Sequence, residues 1–262
     1  MNYQRIIIQF QGWKTYFKQP VLFASLPYVL LYCTVLSLGS IMVAFLTSDS
    51  ARMHNIGIAA FRAFAAVTGV LATFIAPFLI SKTGIVKSGL VGVWFQAAWL
   101  YLSIIFMGGF FAVPYFMDIS QSVPFIISQV CLYAFVFCVV ISRVGLWTFD
   151  LAETQIMQLG ISEDERGVVN TSENSLTNVA EFAVLIATLL VARPEFFIIL
   201  VLISIGCVQI AAIMYTLWAR SKKRLLIEEA EEAEKQGEHE ELGEEMNEVL
   251  GDAEESKEEE EL

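Results

Sequence analysis

The sequence predicts an all-α integral membrane protein, a bundle of about six transmembrane helices with a soluble, strongly acidic tail at its C-terminus. Three observations carry that expectation. Mean hydropathy is positive and over half the residues are apolar, although the formal net charge is −12. The charge is segregated: residues 228–262 hold 18 acidic and 2 basic side chains, and the other 227 residues hold 10 acidic and 14 basic. The acidity therefore belongs to the tail and says nothing about the body. The body consists of repeated apolar stretches of about 20 residues or more, long enough to cross ~30 Å of hydrocarbon. A soluble domain of this size would show shorter amphipathic elements with charge along one face.

Taken in order, the expected spans are 21–47, 55–81, 85–110, 124–149, 171–192 and 195–219. Breakers and polar residues separate them: Ser48-Asp49-Ser50, Lys82-Thr83-Gly84, Ser120 to Pro124, Gly160 to Gly167, and Arg193-Pro194-Glu195. Leu151 to Ser162 reads as a helical continuation of the fourth span beyond the membrane. The opening residues lack the long apolar core of a signal peptide. Cys33, Cys131, Cys138 and Cys207 all fall in apolar stretches and read as small buried hydrophobes, not as a disulfide framework or a zinc motif.

Basic residues set the orientation. With the N-terminus in the cytoplasm, the inner segments collect Arg5, Lys14, Lys18, Lys82, Lys87, Arg166, Arg220, Lys222, Lys223 and Arg224, and the outer ones only Arg52 and Arg193. That asymmetry puts both termini inside. Residues 1–20 are then a cytoplasmic juxtamembrane segment, 21–220 the helical lobe and 221–262 a solvated tail too poor in apolar residues to fold alone. Lys222-Lys223-Arg224 reads as a stop-transfer anchor against membrane lipid, with a specific lipid site as the alternative.

Polar groups inside spans cost free energy and so point to function or to packing. Glu181 lies midway along the fifth span, where a carboxylate costs about 2–3 kcal/mol even on the lenient insertion scale. Asn170, Asn174, Thr177, Asn178 and Glu181 recur at helical spacing as one polar stripe, which Thr188 extends. Lipid cannot satisfy such a stripe. It is expected to line a solute cavity, and interhelical glue is the bland alternative. The first span is interrupted by Ser37-Leu38-Gly39-Ser40. Either the helix breaks there, exposing carbonyls to an ion, or Gly and Ser form a tight packing face. Arg143 and Asp150 lie near the inner end of the fourth span, where a gate ion pair with each other or with another lobe is expected. Arg62, two turns inside the second span, reads as snorkelling to the headgroups.

No nucleotide-binding loop, zinc-protease motif or nucleophile elbow is present, and the two histidines, His54 and His239, fall in a loop and in the tail. No enzymatic activity, no bound cofactor and no nucleic-acid partner is expected.

Residues 145–151 read G-L-W-T-F-D-L, followed by Thr154-Gln155, Glu165-Arg166-Gly167, Asn170 and Asn174-Ser175. This run resembles the ferroportin family of iron exporters (solute carrier family 40). The resemblance continues through Pro194-Glu195, Leu200 to Ser204 and Ile213-Met214-Tyr215. Upstream it includes Gly12-Trp13, Tyr16, Gln19-Pro20-Val21, Leu31-Tyr32, Thr34-Val35-Leu36 and the Gly84 to Gly89 loop with Lys87. It covers about residues 5–220 and excludes the tail.

The resemblance implies a major-facilitator fold of two six-helix lobes, of which this chain is the C-terminal one. It implies a missing N-terminal lobe, in the same full-length chain or as a partner, and export of divalent iron by alternating access. In the family, this lobe binds metal through a cysteine and a histidine; here Ser40 and Val184 stand at those positions, so the metal site is weakened, rebuilt around Glu181, with Ser40 and nearby carbonyls, or lost. Hydroxyl and methyl groups suit a ferrous ion poorly, so another metal, a metal chelate or a small organic cation is the alternative cargo. A non-transporting scaffold acting through the acidic tail is the second alternative. Arg143, Asp150 and Arg166 match the family's gate on the cytoplasmic side. The plasma membrane is the expected location, with an organelle membrane as the alternative.

Overall fold

The computed structural model of the chain describes residues 12–36, 39–49, 51–116, 122–190, 196–221, 224–225, 227–229 and 231–233. Arg5, Ser37, Leu38, Ser120, Arg193, Pro194, Glu195, Lys222, Lys223 and the tail past residue 233, with His239, lie outside the described residues. The main helices are α1 (Leu22–Tyr32), α2 (Ser40–Leu46), α3 (Asn55–Thr83), α4 (Ile85–Phe116), α5 (Ser122–Gly160), α6 (Glu163–Leu190) and α7 (Phe197–Ala219). Four of them, α3, α4, α5 and α7, are long and apolar enough to cross a membrane. The expected first span consists of two shorter helices, α1 and α2. The helix at the fifth span, α6, has a polar first half. At 39 residues α5 is about 58 Å long, well beyond the hydrocarbon thickness. The predicted continuation from Leu151 is therefore helical as far as Gly160.

The break in the first span is real, and its backbone donors find partners both within the gap and outside it. The helix ends at Tyr32, and Gly39 is extended before α2 begins. Donors freed by the break find oxygen atoms: Val35 N–H donates to Ser204 Oγ of α7 at 3.0 Å, and Leu36 N–H to Thr34 Oγ1 at 3.0 Å. Without such partners an interrupted helix could not persist in hydrocarbon. One of these partners comes from the last helix, and Ser40 is exposed at the start of α2.

Short turns and glycine contacts fix the rest of the bundle. Gly84 caps α3 at φ 84°, a conformation that side-chain-bearing residues rarely adopt, and its N–H donates to Ile80 O at 2.8 Å. At the α4–α5 crossing, Gly92 faces Gly145; a Cβ on Gly92 would sit 2.8 Å from the Gly145 oxygen. Backbones approach this closely only through glycine. Helix α5 packs on α4 and α3, α7 packs on α1 and α4, and among the described helices α6 packs chiefly on α1. Three acidic residues, Glu163, Asp164 and Glu165, open α6, where they complement the helix dipole.

The acidic tail leaves the bundle at the end marked by Gly84 and Gly160, called here the tail end. Its first residues fold back onto that end. Ile227 is buried beside Gly160, and the Glu231 carboxylate accepts the Ile85 N–H at the start of α4 at 3.2 Å. Composition alone showed no reason for this docking, because it depends on a single isoleucine and one carboxylate meeting a helix N-terminus.

Candidate functional site

The break between α1 and α2 opens a cavity of about 290 Å³ between α1, α2, α5 and α6. Ser40, Arg143, Asp150, Glu181 and Val184 all line it. Residues separated by up to 144 positions in the chain therefore converge on one space. Leu31, Ile41, Leu146, Trp147 and Leu185 supply apolar wall. Tyr28 and Tyr32, one turn apart on α1, add two hydroxyls 2.9 Å from each other, and that of Tyr28 is within hydrogen-bonding reach of Asp150.

Arg143 and Asp150 do not pair with each other. Seven residues on one helix share a face but stand about 10.5 Å apart along the axis, and no carboxylate comes within ion-pair distance of Arg143 among the described residues. The intralobe ion pair expected from the sequence is thus corrected: both groups face the cavity, two turns apart. Arg166 lies away from the cavity. Its Nε donates to Ile161 O at 2.9 Å and its Nη1 is 3.9 Å from Glu163, so it braces the α5–α6 turn.

The rest of the polar stripe is not on the cavity wall. Asn170, Asn174 and Asn178 stand exposed on the open side of α6. Thr177 is buried and donates to Glu173 O at 3.0 Å, and Thr188 donates to Val184 O at 2.8 Å. Of the stripe, only Glu181 reaches the cavity. Arg62 is exposed on α3 and lines a separate hollow with Thr47 and Asn55.

Sequence reasoning missed a second polar cluster. Glu153 of α5 and Glu173 of α6 are buried, with 2% and 7% exposure, and their carboxyls lie within hydrogen-bonding reach of each other. Ser25 of α1 donates to Glu173 Oε1, and the hydroxyl of Tyr16 bonds to Ser25 Oγ at 2.8 Å. With its hydrogen given to Glu173, Ser25 accepts from Tyr16. Burial raises the pKa of the Tyr16 hydroxyl, keeping it a donor. A signal was available, since Glu173 falls inside the expected fifth span. It sits about 100° around the helix from Asn174, off the stripe that drew the eye.

A Ferroportin1 (FPN1) family model matches residues 2–208 of the chain. This chain belongs to the ferroportin family. It is 32% identical over 206 residues to "Solute carrier family 40 member 1" of Arabidopsis thaliana, covering 79% of this chain and 36% of that one. It is 30% identical over 253 residues to "Ferroportin" of Homo sapiens, covering 80% and 43%. Among solved structures it resembles a bacterial homologue of the iron transporter ferroportin in an outward-facing state, with a TM-score of 0.68, 28% identity, and 78% and 46% of the two chains covered. The inward-facing state of a bacterial ferroportin homologue gives a TM-score of 0.67 at 28% identity, covering 77% and 46%. The chain thus spans less than half the length of these ferroportin relatives. Its fold is the helical fold of these membrane transporters, and its expected membership of the ferroportin family holds.

Proposed function

We propose that this chain is the C-terminal lobe of a ferroportin-type secondary transporter that exports divalent iron from the cytoplasm by alternating access. The observation that carries this reading is the convergence of Ser40, Arg143, Asp150, Glu181 and Val184 on one cavity at the break of the first span. A discontinuous helix beside a carboxylate can offer both charge and backbone carbonyls to a cation. Glu181, with Ser40 beside it, is the metal-binding group, and Arg143 and Asp150 are gate groups that meet the N-terminal lobe. Arg166 holds the α5–α6 turn on the gate side. Asn170, Asn174, Thr177, Asn178 and Thr188 belong to the α6 face that the second lobe covers, where the translocation pathway completes. Near-equal similarity to outward- and inward-facing relatives suits a lobe that moves as a unit. The partner is the N-terminal six-helix lobe, both termini are cytoplasmic, and the plasma membrane is the site of action.

The test is Glu181→Gln in the complete two-lobed protein. Iron efflux at matched surface expression should fall roughly tenfold or more, since one contact to a charged group contributes about 1.5–3 kcal/mol. Unchanged efflux would remove Glu181 from the pathway.

A second cargo reading rests on two features of the same cavity. It lacks the thiolate and imidazole that favour a ferrous ion, and it holds a guanidinium with no carboxylate within ion-pair distance among the described residues. A metal chelate bearing carboxylates would use that cation. Isothermal titration of the full-length protein with ferrous, cobalt and nickel ions separates the two readings. Binding of none, with uptake of a chelate, would favour the second.

A further inference from the structure

The Glu153–Glu173 cluster has no place in the cavity, and its chemistry is unbalanced as it stands. Charged or titratable groups face it from every side. Asp150 lies one turn away on α5, Glu173 comes from α6, and Tyr16 from the segment before α1. Tyr215 of α7 is the remaining neighbour, and its hydroxyl donates to Val86 O at 3.1 Å instead. Ser25 supplies the neutral contact from α1. No lysine, arginine or histidine forms an ion pair with either glutamate among the described residues. Glu153 Oε1, on a residue 2% exposed, has no hydrogen-bond partner among the described residues.

A carboxylate only accepts hydrogen bonds, so two carboxylates in contact have nothing to hold them together. Two like charges at that distance, away from water, do not both ionise. A single proton resolves both difficulties, because it supplies the O–H that bridges the pair and removes one of the charges. We propose that Glu153 and Glu173 form a proton-binding site whose shared proton holds the tail-end parts of α5 and α6 together.

The direction of the pH response follows. The bridge is complete while the proton is bound, and it is lost as pH rises and the pair releases it. Release leaves two adjacent anions with Asp150 nearby. The helix that yields is α6, which among the described helices packs chiefly on α1, while α5 is anchored on α3 and α4. The tail-end spacing of α5 and α6 therefore widens on the alkaline side.

The experiment uses the full chain in lipid nanodiscs. Infrared difference spectra over a pH titration report the carboxylic-acid C=O band. Spin labels at the exposed positions Gln158 and Thr171, with the native cysteines replaced, report the α5–α6 distance. The wild-type chain should show an acid band at neutral pH that is lost on raising the pH, together with a longer label distance. Glu153→Gln and, separately, Glu173→Gln keep a neutral hydrogen-bonding group, and each should abolish both responses. The proposal is overturned if the wild type shows no such band, if the band disappears without a change in distance, or if both variants retain the response. Loss of the band on adding magnesium at constant pH would overturn it in favour of a divalent-cation site.

Discussion

Helices α5 and α6 are neighbours in the chain, joined by a two-residue turn, and they are held in opposite ways. Helix α5 buries Leu132, Phe135, Val136, Val139 and Phe149 against its neighbours and meets α4 backbone to backbone at Gly145. Helix α6 leaves Val179, Phe182, Leu185, Ile186 and Leu189 exposed, and with them Asn170, Asn174 and Asn178. The apolar members of that surface can face lipid; the asparagines cannot, because hydrocarbon offers them no partner. The difference separates two duties. Helix α5 is the scaffold that places Arg143 and Asp150, and α6 is a cavity wall with few contacts inside the bundle. A wall with few internal contacts can also move at a smaller energetic cost.

That contrast is open to attack by mutation, with the chain in detergent and thermal unfolding as the readout. The largest effect belongs to Phe135→Ala on α5. It empties a fully buried site, and the expected loss is about 3–5 kcal/mol. A loss below about 1 kcal/mol would mean that α5 is not the scaffold. Gly145→Ala should come next, at about 1–3 kcal/mol, because the added methyl would lie 2.7 Å from the Gln96 nitrogen, a backbone atom that cannot swing aside. If instead the variant unfolds at the wild-type temperature, the close α4–α5 approach is not needed. The smallest effect is expected from Phe182→Ala on α6, within about 0.5 kcal/mol, since that side chain is 62% exposed in this lobe. A large loss there would show that α6 is fastened to the lobe more firmly than its contacts indicate.

Much of this architecture was legible before any coordinates. The apolar runs located the long helices, and Gly39 with its serines marked the break in the first span. Glu181, Ser40, Val184, Arg143 and Asp150 were singled out from the sequence and all reach one cavity. The asparagines at 170, 174 and 178 were placed on a common face, but helical spacing does not state what that face meets. The Arg143–Asp150 pair failed for a reason of distance, since two turns of helix exceed the reach of an ion pair. Glu153 and Glu173 escaped notice because Glu153 lies beyond the expected fourth span and Glu173 lies off the polar stripe, and neither stands out until the other is brought against it.

Composition and periodicity by themselves determined that this chain is a membrane-embedded helical bundle with a separate acidic tail, because solvent preference is a property of each residue and its near neighbours in the chain. The tertiary structure alone decided that Ser204 satisfies the broken first span, that Glu231 caps α4, and that Glu153 touches Glu173. These contacts join residues 169, 146 and 20 positions apart, respectively. Such a contact depends on the relative rotation and depth of whole helices, quantities that no local pattern contains.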